Sequence, residues 1–170
     1  VAGFASVLSK EEDTNVSQLE TNYLQTQLVE NGFAISFFND VDIDKLNNQS
    51  ISIHFLGSKG FFTDYNARIN DPISKSVAEN WVNGYLNFLS KNFDPNTLAK
   101  KIYTSKQDEN ISITNSEFIE MIKSGSNKIH LKFNLPKQIQ VNDEIISIGH
   151  AAEIIFLLNK NNFLDNSINK

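Results

Sequence analysis

The sequence predicts an α+β fold: a single domain in which three to four helices cover a mostly antiparallel sheet that is able to curl. Three observations carry this. Residues 50–56 and 128–136 alternate apolar and polar side chains with period two, as half-buried strands do. Other stretches repeat their apolar residues at helical spacing and carry helix start signals. Strands and helices do not alternate regularly, which argues against a doubly wound parallel sheet.

Taken in order, the first helix is predicted over 14–31, where Val16, Leu19, Tyr23, Leu24 and Leu28 form one stripe. Glu11, Glu12 and Asp13 precede it at the positive end of its dipole, and Gly32 stands at C′. Residues 33–38 (FAISFF) read as a strand, 39–49 as a polar connector, and 50–56 (SISIHFL) as a second strand. Gly57-Ser58-Lys59-Gly60 is a hairpin turn leading to Phe61 and Phe62. Asp71-Pro72 supplies an N-cap and an N1 proline for a helix over 72–92, with Ile73, Val77, Trp81, Tyr85, Phe88 and Leu89 on its apolar face. Gly84 inside that helix permits close approach of a neighbour. Asp94-Pro95 repeats the start signal for a helix to about residue 103, followed by a loop over 104–110. Residues 110–114 read as a short strand. Thr114 and Glu117 then form a capping box for a helix ended by Gly125. Residues 128–136 (KIHLKFNLP) read as a strand and 138–149 as a hairpin, while 154–158 fit strand or helix.

The expected organisation is an N-terminal arm or remnant of a removed segment over 1–13, the domain over 14–158, and a polar tail over 159–170. The length of 170 residues suits one domain. The 13 Phe, 4 Tyr and 1 Trp supply a core. No apolar run approaches the roughly 18 residues of a membrane span, so no transmembrane segment is expected; peripheral or anchored association is left open. A net charge of −5 and a single arginine, Arg68, weigh against a nucleic-acid partner. Cysteine is absent, which excludes disulfides, thiolate metal sites and cysteine nucleophiles. Asparagine is abundant and lysine far outnumbers arginine, the mark of an AT-rich genome. In such a composition the three sequons at Asn15, Asn48 and Asn110 are what chance yields.

Chemistry-bearing patterns are few. Asp40, Asp42 and Asp44 have the first half of a calcium loop's spacing. Lys45 stands where the loop needs glycine, and Ile51 where it needs glutamate. The stretch therefore reads as a connector, with Asp42 or Asp44 capping a turn, and remains the first place to look for a cation. His54 and His130 could meet on one sheet face, joined by His150 and Glu153, but their separations match no local ligand spacing. No nucleophile elbow, phosphate loop or dinucleotide fingerprint is present, so no catalytic residue and no cofactor is assigned, and the question of enzyme activity leans to no.

Two functional expectations follow. The first is a non-enzymatic interaction or assembly domain, with a protein partner or self-association, such as a component of an envelope, secretion or viral complex. Its binding residues would be the apolar arm: Phe4, Val7 and Leu8. Export fits a chain that lacks cysteine and an initiator Met. The second is a small-ligand-binding protein or enzyme with a pocket between the 72–92 helix and the sheet, lined by Trp81, Tyr85, Phe88, His54 and His130.

Overall fold

The computed structural model describes residues 1–42, 47–105 and 111–168, the last six of these by their backbone alone. Among them the chain is all helical and no strand occurs, so the expected α+β fold is corrected. Seven α-helices are present: α1 (Ala2–Glu11), α2 (Thr21–Glu30), α3 (Asn48–Gly57), α4 (Lys75–Leu89), α5 (Pro95–Ser105), α6 (Asn115–Lys128) and α7 (Ile148–Ile168). A 3-10 turn at Val16–Gln18 precedes α2. α3 and α7 form the most extensively packed pair, α4 packs against both α5 and α6, and α2 lies on α3.

The largest departure is α3, where period-two alternation lies on a helix. Alternation marks a strand only when one face meets water. Here Ser50, Ser52, Ile53, His54, Phe55 and Leu56 are all buried, so the serines are not a solvent face. They satisfy themselves locally. Ser52 Oγ donates to Asn48 O at 2.7 Å, and Ser50 Oγ donates to the N-cap Asn47 Oδ1 at 3.1 Å. A small hydroxyl bonded to its own helix lets a second helix come close without an unpaired polar group.

Two other expected strands, at 110–114 and in the 138–149 hairpin, share an explanation with the expected helix start at residue 72. Residues 72–74, 112–114 and 145–147 are extended just long enough for single antiparallel bridges: Pro72 with Ser147, Ser74 with Ser112, and Thr114 with Ile145. Ile73 N donates to Ile146 O at 3.1 Å, and Ile146 N donates to Ile113 O at 3.0 Å. Each segment ends in a helix start, with Ser74, Thr114 and Ser147 accepting from the backbone N–H of Val77, Glu117 and His150. The preceding Ile73, Ile113 and Ile146 are buried together with the first-turn residues Ala78, Phe118 and Ala151, the pattern of a hydrophobic staple used three times. The N-termini of α4, α6 and α7 are thus tied at one junction. The start of α4 shifts from the expected Asp71-Pro72 to Ser74, because 72–74 are spent on this junction.

Several signals hold. The Thr114/Glu117 capping box forms, with Thr114 N donating to Glu117 Oε2 at 2.8 Å. Asp94 caps α5, accepting from the N–H of Asn96 and Thr97. Gly32 closes α2 with φ 83°, and Phe33 N donates back to Leu28 O. Gly84 lies against Leu98 of α5, where a Cβ would sit 2.8 Å from Leu98 Cδ2. Gly125 does not end α6. It lies inside the helix against Leu86 of α4, where a Cβ would overlap Cδ1. Residues 33–38 and 129–141 are irregular, and α7 continues through the expected polar tail to Ile168.

Candidate functional site

The clearest concentration of unusual chemistry sits around Lys59, at the turn that follows α3. Gly60 adopts φ 78°, and Phe61 N donates to Leu56 O, so the chain reverses sharply and turns the lysine inward. Lys59 is only 9% exposed. Its Nζ donates to Asn22 Oδ1 and Gln25 Oε1 on α2. It lies 5.4 Å from the ring centroid of Phe55 and 5.3 Å from that of Phe88. Burial lowers its pKa from 10.5 to about 8, opposed by the more distant Glu20 carboxylate. No carboxylate forms an ion pair with it among the described residues. A buried cation held only by neutral oxygens and ring faces is half compensated.

Asn159 of α7 adjoins it. Its side chain is 1% exposed, and neither Nδ2 nor Oδ1 has a hydrogen-bond partner. Lys59 and Asn159 line a small cavity of about 10 Å³ with Phe55, Phe61, Tyr85 and Phe88. The same two residues line an adjoining open cleft of about 1000 Å³, with walls from Phe88, Leu89 and Phe93 and rim charges from Glu20 and Lys91. Tyr85 Oη accepts from Asn162 Nδ2 at 2.9 Å, and burial raises its pKa far enough to keep the phenol neutral.

The residues expected to line a pocket divide. Tyr85 and Phe88 are at the Lys59 cavity. Trp81 is sealed in the core against Phe61 and Phe62, with its indole N–H donating to Phe61 O at 3.1 Å. The expected sheet face shared by His54 and His130 does not exist: His54 is buried on α3, while His130 is exposed with φ 57° in the turn after α6. His54 Nδ1 is 3.0 Å from Ser36 O, a carbonyl that can only accept, so Nδ1 carries the proton and the buried Nε2 is left without a partner. His150, at the start of α7, lies 3.4 Å from Asn115 Nδ2.

The aspartate stretch is structural where it is described. Asp40 accepts from the N–H of Ala67 at 2.8 Å and of Arg68 at 2.7 Å, pinning a loop in which Arg68 has φ 53°. Asp42 is exposed, and Asp44 lies outside the described residues. Among the described residues no group of three or more His, Asp or Glu is placed to hold a metal ion. The N-terminal Phe4, Val7 and Leu8 lie on α1: Leu8 is buried, Phe4 packs on Phe33 with ring centroids 5.5 Å apart, and Val7 faces solvent. Among the described residues no helix is long and apolar enough to cross a membrane.

Sequence reasoning missed Lys59, Asn22, Gln25 and Asn159. The lysine belongs to a glycine-flanked turn and the amides to an asparagine-rich chain, so nothing local sets them apart. No family model, no curated protein and no solved structure matches the chain.

Proposed function

We propose that the chain is a small-ligand-binding protein whose site is the cleft at Lys59, between α2, α4 and α7. The observation that carries this is a buried lysine with no ion-paired carboxylate among the described residues beside a buried, unpartnered Asn159, both among the residues that line one cleft. Orphaned buried polar groups are costly to fold around, by about 1–3 kcal/mol each, and a ligand that pairs with them recovers that cost on binding. The cleft's volume and its mixture of aromatic walls with a few convergent polar groups are those of a ligand site. A fragment screen read by protein NMR tests it. Hits whose shifts map to Lys59, Phe88 and Asn159 support the reading, and hits confined to other surfaces overturn it.

A second reading, self-association as an assembly domain, has its own observation. Phe37 and Tyr65 are 64% and 68% exposed yet pack edge to face on one another, 6.2 Å between centroids. Such a pair fits a contact with a second copy. Sedimentation of the wild type against Phe37→Ser/Tyr65→Ser tests it: a concentration-dependent dimer lost in the variant supports it, and a monomer at all concentrations ends it.

A further inference from the structure

We infer that the Lys59 cleft takes a small carboxylic acid with a hydrogen-bond donor on the carbon beside the acid and an apolar, aromatic body, the class of 2-hydroxy and 2-amino acids. This rests on the reading of the cleft as a ligand site and specifies its occupant.

The head group is set by what Lys59 and Asn159 leave unused. An ammonium has three protons, and two of those on Lys59 go to Asn22 and Gln25. Among the described residues no carboxylate forms an ion pair with Lys59, Glu20 acting on it only through a coulombic interaction. A ligand carboxylate supplies a partner for the charge and the third proton. Asn159 then makes a second demand. Its Nδ2 needs an acceptor and its Oδ1 needs a donor, and the described residues offer neither. A bare carboxylate satisfies Nδ2 and leaves Oδ1 orphaned. A hydroxyl or ammonium on the adjacent carbon meets Oδ1 at the same time.

Charge sets the limit on the head group. The cleft carries Lys59 and Lys91 against Glu20, an excess of one positive charge. That complements a single negative charge and disfavours a phosphate dianion. Arg68, the one side chain able to grip phosphate through two parallel bonds, does not line it. The small cavity of about 10 Å³ has room for one water at most. The body of the ligand therefore lies in the open cleft against Phe88 and Phe93, which already meet edge to face at 5.4 Å.

The test is an NMR titration of the full chain with four probes. They are 3-phenyllactate, phenylalanine, 3-phenylpropionate, which lacks the donor, and 3-phenyllactamide, which lacks the charge. Saturable shifts at Lys59 and Asn159 are expected with 3-phenyllactate or phenylalanine. Affinity should fall about tenfold or more for 3-phenylpropionate, and by a similar factor for the better ligand with Asn159→Leu, the loss expected when a buried polar group stays unpaired. No saturation is expected with 3-phenyllactamide. If 3-phenylpropionate binds as tightly as 3-phenyllactate, or the amide as tightly as the acid, the inference is wrong while the cleft remains a ligand site. If no probe moves the cleft resonances the inference also fails, and the broader fragment screen decides whether the cleft reading fails with it.

Discussion

A lysine ammonium set among two aromatic rings and two amide oxygens is less well solvated than one in water, and the lowered pKa of Lys59 expresses that deficit. Replacing a buried charge by an apolar side chain of similar length commonly stabilises a fold. Lys59→Met should therefore raise the urea midpoint at pH 7, by the equivalent of about 1–2 kcal/mol. The pH dependence has a definite sign. Between about 8 and 10.5 the unfolded chain holds the Lys59 proton more tightly than the folded chain does, so wild-type stability should rise relative to Lys59→Met across that window and show no difference in slope below it. His54 acts at the other end. Burial lowers its pKa below 6.5, so the folded state resists a proton that the unfolded state accepts. Stability should fall as pH drops from 6.5. His54→Asn keeps a donor toward Ser36 O but cannot titrate, so it should flatten that slope in acid denaturation curves. An unflattened slope would place the acid sensitivity elsewhere. Lys59 was not legible as special, and His54 was singled out but expected on a sheet face rather than buried in a helix. The turn at 57–60 can be read from its glycines, but where Lys59 points depends on α2 and α4 meeting over it.

At the scale of elements, the reliable signals were those that act within one turn of helix. The Thr114/Glu117 box, the Asp94 cap and the Gly32 C′ position all formed, because a cap and its partner lie three residues apart whatever the rest of the chain does. The unreliable signal was alternation. In α3 it reflects small residues facing other helices, and at 112–114 and 145–147 it reflects extended caps of helices. Both are set by distant neighbours. Two substitutions test these element-level accounts by chemical denaturation. Thr114→Ala should cost about 1 kcal/mol through the lost cap. Gly125→Ala should also destabilise by about 1 kcal/mol: helix propensity favours alanine by up to about 1 kcal/mol, but its Cβ displaces Leu86 at the α4–α6 contact, and overpacking of this kind costs more. A stabilised Gly125→Ala would mean that Leu86 moves aside freely.

In the whole molecule, α3 and α7 form the centre, and three helix N-termini are clamped at the Ile73, Ile113 and Ile146 junction. By contrast, among the described residues α1 packs mainly on the 3-10 turn and α2, with Ala5 and Leu8 buried and Phe4 against Phe33. Local stability should follow that gradient. In native-state hydrogen exchange the amides of α3 and the first half of α7 should be the slowest, and those of α1 should exchange through a separate, cheaper opening. Equal protection of α1 and α3 would show that the arm is part of the central cooperative unit. The amino-acid composition indicated one domain with an aromatic core, and such a core exists; the arrangement of its elements rests on long-range contacts that no short window of sequence contains. The central claim is that Lys59 is kept in its costly position for a ligand. It is tested by thermal unfolding of the wild type and Lys59→Met, each with and without 3-phenyllactate. The account predicts that the variant melts higher without ligand, and that the acid raises the melting temperature of the wild type alone. A variant that melts lower, or one stabilised by the acid as much as the wild type, would contradict it.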